Sequence, residues 1–530
     1  MSPCPGEIRC GVAASSRAAW PLRRAYVITL VLAACLYGLT AQRGPAWQDS
    51  GYHQLRALRG QLDNPLGLAL THPLLIVMAQ PLRALGVANL PWSMNVLSGV
   101  GMAVALANVL LLGYWLTGRP TAAILAAATL AVSHTAWWLG AVAETYCWSA
   151  AGLTTELILA LSLLARPRAW KVGLLALVSG LGFSLHNLAL LALPVYAIAV
   201  ALLVRQRRLS AWVLLLAAGA WLSGAGLQLA LVAHRGIASG DWPATIRSAL
   251  FGQRWQGSVT SMSPRTLMRA GGYILLNWPF LSLVPVALGW WLMPQRAGRA
   301  AGALLGAVAV IHLLFAARYD VVDQFMFLLP AYTLLAVGSA VGIDRLLDLP
   351  PGARRLVMAL LGVSLLLTPV MYALVPWAMT RSGRSIRGAY HLPGRDENRY
   401  WISPWKFNED SARRFGRAAL DAAGPDGVIL ATGTTGPPIL IVQATEGRAP
   451  GVNVEMLAES PLGLIDSRTE RIAVPPYRIA GLLDRRALYI AQSFYPGGDE
   501  PLMKQTRGVP AGPLIRLVFP PAADAQSEKE

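Results

Sequence analysis

A chain of 530 residues with 55% hydrophobic and only 14% charged residues is not a soluble globular protein, since soluble domains carry about 25% charged residues. Its formal net charge of +18 sits on single arginines and short basic loops, with no aromatic-interleaved basic domain, which argues against nucleic acid as a partner. Four cysteines (Cys4, Cys10, Cys35 and Cys147) show no CxxC or Cys/His spacing, which argues against a disulfide framework and a structural zinc site.

Apolar stretches of about 20 residues recur, each long enough to cross a hydrocarbon core of about 30 Å. Only helices satisfy their own backbone groups there unless a barrel closes. The expected fold class is mainly α: a polytopic transmembrane helical bundle of about 11 spans, followed by a small C-terminal α/β domain. Residues 1–24 are polar and then basic (Arg17, Arg23, Arg24), which places them in the cytoplasm. The first apolar run, 25–41, ends in Tyr37-Gly38-Leu39-Thr40-Ala41, a poor cleavage context, and reads as a retained helix. Trp47-Gln48-Asp49-Ser50-Gly51-Tyr52 follows where the chain leaves the membrane. Asp49 there is either a helix cap or a chemical group.

Asn64 to Gly86 is apolar but holds Pro65, Pro73, Pro81, His72, Gln80 and Arg83. Parity of loop charge decides its topology. If it does not cross, Arg119, Arg166/Arg168/Lys171, Arg205/Arg207/Arg208, Arg296/Arg299 and Arg345/Arg354/Arg355 share the side of the N-terminus, as the positive-inside rule asks. Residues 42–91 are then an external loop, with 66–85 as a membrane-surface or re-entrant element. The later spans are 92–117, 121–139, 147–165, 170–186, 188–204, 210–232, 270–293, 299–316, 325–343 and 354–376. Residues 170–204 form one apolar run of roughly 50 Å as a helix, so it must break, and His186-Asn187 is the polar point for the break.

This parity puts most of the unusual polar residues outside. They are Asp49, His72, Glu144 at the end of Trp137–Glu144-Thr145-Tyr146, His186 in Ser184-Leu185-His186-Asn187, and Arg318-Tyr319-Asp320-Val321-Val322-Asp323. Asp320 and Asp323, three apart, would share a face on a helix. Mid-membrane polar candidates are few: His312 and Gln228. From 378 to 521 the composition becomes that of an extracytoplasmic α/β domain. Ser411–Ala423 reads as an amphipathic helix, and Val428–Ala431, Leu488–Ala491 and Leu514–Phe519 read as strands. Thr432-Gly433-Thr434-Thr435-Gly436 is either an anion-binding turn or, more ordinarily, a plain strand-to-helix turn. Residues 522–530 read as a disordered tail.

In order along the chain, Asp49-Ser50-Gly51, Thr71-His72-Pro73, Asn95-Val96-Leu97-Ser98, Trp137 through Glu144-Thr145-Tyr146, Ser184-Leu185-His186-Asn187 and Tyr319-Asp320…Asp323…Phe327-Leu328-Leu329-Pro330 form a recognisable set. With them the chain resembles the GT-C superfamily of membrane glycosyltransferases. The likeness extends to a bacterial family of unknown function related to transmembrane O-mannosyltransferases, and it covers about residues 25–345. The chain departs from that family in two places. Tyr52-His53 stand where an acidic residue is usual, and Thr71-His72-Pro73-Leu74-Leu75 replaces His-Pro-Pro-Gly-Tyr-Pro.

The resemblance implies transfer of a sugar from a polyprenyl-phosphate donor to a protein, lipid or glycan acceptor at the external face of a bacterial cytoplasmic membrane. It implies Asp49 as the base, with His72, Glu144, Tyr146, His186, Arg318, Tyr319, Asp320 and Asp323 binding substrate. Arg318 is the expected phosphate ligand, with Arg254 and Arg265 as alternatives, and Asp49 and Glu144 would share any divalent metal (Mg or Mn). A transporter or flippase of lipid-linked glycans and a non-catalytic envelope-assembly protein are the rival readings.

Overall fold

A computed structural model describes residues 16–64, 71–252, 257–258, 262–386, 392–456, 487–491 and 507–518. The membrane part begins with α1 (Ser16–Thr40), then two short helices, α2 (Gln48–Arg59) and α3 (Pro73–Ala84), before the long α4 (Leu90–Thr117). At about 1.5 Å per residue α3 reaches about 18 Å, too short to cross. Pro91 and the Asn89 side chain, which accepts from Trp92 N at 3.1 Å, start α4, and Gly118 at φ +70° ends it.

Next come α5 (Pro120–Ala131) and α6 (His134–Gly140). They fill the expected span 121–139 but are bent by 66° at the Val132-Ser133 break. Then follow α7 (Tyr146–Ala165) and α8 (Ala169–Leu185). The long apolar run breaks where expected: His186 is extended at φ −164°, a 3-10 turn spans Asn187–Leu191, and α9 (Leu193–Arg205) restarts with Pro194. After α10 (Val213–Ser239) and α11 (Trp242–Phe251), the expected single span 270–293 is two helices, α12 (Pro264–Asn277) and α13 (Leu283–Ala297). Trp278 to Ser282, with Pro279 inside, cannot continue the hydrogen-bond ladder. The bundle closes with α14 (Arg299–Arg318), the single turn α15 (Gln324–Phe327), α16 (Leu329–Leu347) and α17 (Pro351–Arg381).

Seven of the described helices are long and apolar enough to cross a membrane, or eight if the bent pair counts as one span. The chain is an integral membrane protein. α16 lies at the centre, buried along almost its whole length. Its approach to α13 depends on missing side chains: a Cβ on Gly289 would meet Gly338 O at 1.7 Å, and one on Gly342 would meet Pro285 O at 1.9 Å. Such small-residue contacts let backbones pack without a hydrophobic driving force between helices.

The two ends of the bundle differ in chemistry. One end holds an ion-pair network in which Arg119 and Arg296 clamp the buried Asp344 at 3.2 and 2.7 Å and Arg119 also reaches Asp348 at 2.7 Å. The opposite end holds α2, α3, the 141–145 turn, the 186–191 turn, the 319–323 loop and the C-terminal domain.

That domain contains α18 (Glu397–Ile402), α19 (Ser411–Ala423), β1 (Val428–Ala431), α20 (Gly436–Glu446), β2 (Asn453–Met456), β3 (Leu488–Ala491), β4 (Arg507–Ala511) and β5 (Leu514–Val518). The sheet order is β2-β1-β3-β5-β4; β1 is parallel to β2 and β3, and β5 is antiparallel to β3 and β4. The amphipathic helix and three strands fall where the pattern places them, with Phe519 and the tail 522–530 outside the described residues. β2 and β4 carry no clear alternation and go unread in the sequence.

The domain is pinned by aromatics. Trp47 Nε1 donates to Ser411 Oγ at 2.8 Å, and its ring lies 5.1 Å from Phe415. Trp138 Nε1 donates to Tyr400 O at 3.0 Å and the Trp138 ring stacks on Trp401. Lys406 is buried over Trp138, and its Nζ donates to Ser403 O at 2.6 Å. Trp137 joins the same contact, with its ring 5.6 Å from Trp405 and its Nε1 donating to Thr40 Oγ1 at 2.9 Å.

Candidate active site

α2 is the site's scaffold. It lies between two apolar layers: Ala57 packs with Leu75, Ala79, Leu90, Met94 and Leu185 on the membrane side, and Tyr52 and Leu55 pack with Ile441 and Met456 of the C-terminal domain. Its first turn is held from both sides. Gln54 Oε1 accepts from Ala46 N at 2.8 Å, Gln54 Nε2 donates to Asn95 Oδ1 at 3.0 Å, and Asn95 Nδ2 donates to Gln42 O at 2.7 Å. Only glycine fits at position 51, where a Cβ would lie 2.3 Å from Ala46 O and 3.2 Å from Pro437 Cβ. Gln48 enters the helix at φ +57°, a conformation that costs energy for a residue with a side chain.

This packing presents Asp49 and Ser50 to the 141–145 turn. Ser50 Oγ donates to Glu144 Oε1 at 2.7 Å. Ser98, one turn along α4 from Asn95, fixes the Glu144 backbone by accepting from its N at 2.9 Å and donating to its O at 3.0 Å. Glu144 is buried at 3% exposure. Burial, and then the neighbouring Asp49 and Asp323, push its carboxyl well above the usual carboxylate range, with the Ser50 hydrogen bond opposing. Burial raises Asp49 as well, yet its side chain keeps an open face. Asp323 is pushed up to about 7 by burial and then by Asp49, against the pull of Arg269. Three carboxylates thus share one electrostatic site.

Beside them runs a continuous aromatic wall. The His72 and His186 rings stack at 4.7 Å, Tyr146 lies 4.7 Å from His186, Phe327 lies 5.2 Å from Tyr146, and Tyr319 lies 4.6 Å from Phe327. His72 sits at φ +47° just before α3, and its neighbour Thr71 donates to Gln228 Oε1 at 2.6 Å. Gln228, a mid-membrane polar residue, therefore supports this loop.

Of the nine residues read from the sequence, six converge: Asp49, His72, Glu144, Tyr146, His186 and Asp323. Tyr319 joins through Phe327. Asp320 does not. Residues 319–323 form a loop, not a helix, so Asp320 and Asp323 part company. Asp320 turns to the surface and pairs with Arg269 Nη2 at 2.9 Å. Arg318 ends α14 and makes no ion pair among the described residues. Arg265 is exposed on α12, and Arg254 lies outside the described residues. The Thr432–Gly436 turn is the ordinary kind: Thr435 Oγ1 accepts from Thr432 N at 3.0 Å, and Thr432 Oγ1 accepts from Thr434 N and Thr435 N at 3.3 Å each. Those amides are taken.

Several contributors escape sequence reasoning. Arg269 holds Asp320 and donates to Gln324 Oε1 at 2.8 Å. His53 and Arg56 are buried at 7% and 3% exposure on the α2 face beside His72 and His186. Their spacing from Asp49, four and seven residues along one helix, was the available signal.

The donor set suits a hard cation in part. Asp49 and Glu144 provide two carboxylates, but among the described residues no three His, Cys, Asp or Glu side chains converge as a ready ligand set.

The arrangement of helices, loop end and appended domain is a GT-C fold. It is similar to ArnT from Cupriavidus metallidurans in the apo state, with a TM-score of 0.57 at 12% identity over 96% of this chain and 100% of that one. ArnT bound to undecaprenyl phosphate gives 0.55 at 13% identity over 93% and 99%. The Archaeoglobus fulgidus oligosaccharyltransferase is a looser likeness, 0.44 at 13% identity over 93% of this chain and 73% of that one. No protein-family model and no curated protein matches the chain by sequence.

Proposed function

We propose that the protein is a glycosyltransferase that moves a sugar from a polyprenyl-phosphate donor to a protein, lipid or glycan acceptor at the external face of a bacterial cytoplasmic membrane. The observation that carries this reading is the convergence of Asp49, Glu144 and Asp323 at one end of a GT-C bundle, beside an aromatic wall. The undecaprenyl phosphate bound by ArnT supports a lipid-phosphate donor. The basic residues gathered at the opposite end support an external position for the site and the C-terminal domain.

In this reading Asp49 takes the proton of the acceptor hydroxyl. Its raised proton affinity suits a base working near neutral pH, and its open face admits the acceptor. Glu144, closed off and held by Ser50, keeps its proton and orients the sugar. Tyr146 and Tyr319 offer rings to a sugar face. As the acceptor oxygen bonds to the anomeric carbon, the bond from that carbon to the phosphate oxygen breaks, and the phosphate leaves with the electron pair. Positive charge must meet it, and Arg318 at the end of α14 is a guanidinium suited to a bidentate contact. A divalent ion, if it took the place of the Glu144 proton, would be held by the Asp49 and Glu144 carboxylates and would add charge stabilisation of the phosphate.

The transporter reading draws on buried polar groups within the spans, such as Glu156 and the Asn108 network with Tyr26, Thr154 and Thr155. Incubation of the protein in vesicles with labelled lipid-linked sugar separates the two. Transfer to an acceptor, lost in Asp49→Ala with membrane insertion intact, supports the enzyme. Redistribution across the bilayer without transfer supports the transporter, and full activity in Asp49→Ala removes Asp49 as the base. A phosphatase fused after residue 380 is expected to be active outside the cell. Activity of only a cytoplasmic reporter there overturns the sidedness.

A further inference from the structure

The mechanism above leaves a second cluster unused. His53, Arg56, His72 and His186 gather beside Tyr146. His72 stacks on His186 at 4.7 Å with their planes 20° apart. His53 and Arg56 project from α2 near enough that both depress the proton affinity of His72. His53 Nδ1 and His72 Nε2 are buried and have no hydrogen-bond partner among the described residues. Buried polar atoms are paired in the large majority of cases, so two orphans in one cluster need an explanation. His186 Nδ1 accepts from Leu188 N at 3.1 Å, which leaves the proton on Nε2 and makes that nitrogen a donor.

The charge of the cluster narrows what fits it. Burial, then Arg56 and His186, lower His53 to about 3, and burial lowers His186 to about 3. The cluster therefore gathers neutral imidazoles beside one guanidinium. A metal cation would meet Arg56, which repels it. Arg56 directs its Nε to Gln61 O at 3.3 Å and its Nη2 to Leu62 O, so its charge is fixed in place. An anion with several acceptor oxygens meets N–H donors on the imidazoles and a positive charge behind them. The backbone at His72 is held in the left-handed region at φ +47°. Strain of that kind, kept by a proline on one side and the Thr71–Gln228 bond on the other, marks positions that the surrounding structure sets deliberately.

We propose that His53, His72 and Arg56, with His186, form a phosphate-receiving site beside Tyr146. The inference rests on the glycosyl-transfer reading for the source of that phosphate, the head group of a polyprenyl lipid. The site would then have carboxylates for the acceptor and imidazoles for the leaving group.

The test uses the full chain in nanodiscs and measures binding of three probes: undecaprenyl phosphate, undecaprenol and inorganic phosphate. Two variants are compared with wild type after a thermal melt. His53→Gln lies within α2, and His72→Asn keeps a residue that tolerates the left-handed backbone. The expected result is that wild type prefers undecaprenyl phosphate to undecaprenol at least tenfold. Each variant should lose that preference tenfold or more while undecaprenol binding and the melt stay unchanged, an outcome that general disruption would not give. Preference retained within twofold in both variants, or lost only in Arg318→Gln, overturns the cluster and leaves the glycosyl-transfer reading standing. Histidine-dependent binding of inorganic phosphate without binding of undecaprenyl phosphate supports the site and overturns the lipid donor. A wild type that binds no phosphate probe overturns both.

Discussion

Gly51→Ala perturbs the helix that carries Asp49 without touching any titratable group. The new Cβ would lie 2.3 Å from Ala46 O, 3.1 Å from the Ala46 carbonyl carbon and 3.2 Å from Pro437 Cβ, whereas ordinary contact begins near 3.4 Å. The helix or its neighbours must therefore give by about 1 Å in a close-packed interior. Neither neighbour yields easily. Ala46 is buried and its N–H is held by Gln54, and Pro437 is buried in the first turn of α20. Overpacking of this kind costs about 1–3 kcal/mol.

Asp49, two residues earlier, moves with the helix, and a misplacement of about 1 Å costs about 10²-fold in rate. The assay is sugar transfer from a lipid-linked donor by purified protein in nanodiscs, beside a thermal melt. The expected outcome is a small fall in melting temperature and a fall in turnover of roughly a hundredfold. Turnover at the wild-type level in Gly51→Ala would refute the argument that α2 is wedged between the 42–47 loop and the C-terminal domain.

The other predictions concern charge and docking. Ser50→Ala removes the hydroxyl that donates to Glu144 Oε1, a hydrogen bond of about 1 kcal/mol. Turnover should fall about fivefold, and the alkaline limb of the pH–rate profile should move to higher pH, because the deprotonated form of Glu144 loses its donor and the protonated form persists further. Asp323 stands at about 7 in the folded protein against about 3.9 unfolded. The native state holds more protons between those values, so stability falls as pH rises through this window. Asp323→Asn should flatten the decline in melting temperature between pH 5 and pH 8, and an unchanged slope counts against the shared carboxylate site. Trp47→Ala removes the contacts with Ser411 and Phe415. Limited proteolysis should then release the C-terminal domain faster, with a wild-type digestion pattern as the opposing result.

The polar set at one end was largely legible because each member interrupts an otherwise apolar chain. A carboxylate in the short turn at Glu144, or a histidine in the break between α8 and α9, stands out against its neighbours. His53 and Arg56 did not stand out. They lie in a stretch rich in polar residues, and only the packing of α2 against α3 makes them buried. Asp320 and Asp323 could not be told apart by spacing, because their directions depend on a loop whose course is set by Arg269 and Gln324. The Trp137-Trp138 pair gave no sign of its partner, since Tyr400 and Trp401 lie more than 250 residues away.

Local chemistry alone determined that the chain is helical and membrane-bound, where its long apolar run must break, and which end of the bundle gathers acids and histidines. Hydrophobic length and loop charge act through the bilayer, and the bilayer reads them residue by residue. The tertiary structure decided which of those polar groups meet. It breaks the expected 270–293 span in two and sends Asp320 to an arginine at the surface. It wedges a glycine-dependent helix between two apolar layers so that Ser50 bonds Glu144 and Asp49 lies near enough to raise its proton affinity. Those outcomes depend on side chains far apart in the chain coming within a few ångströms, and no periodicity or composition encodes such distances.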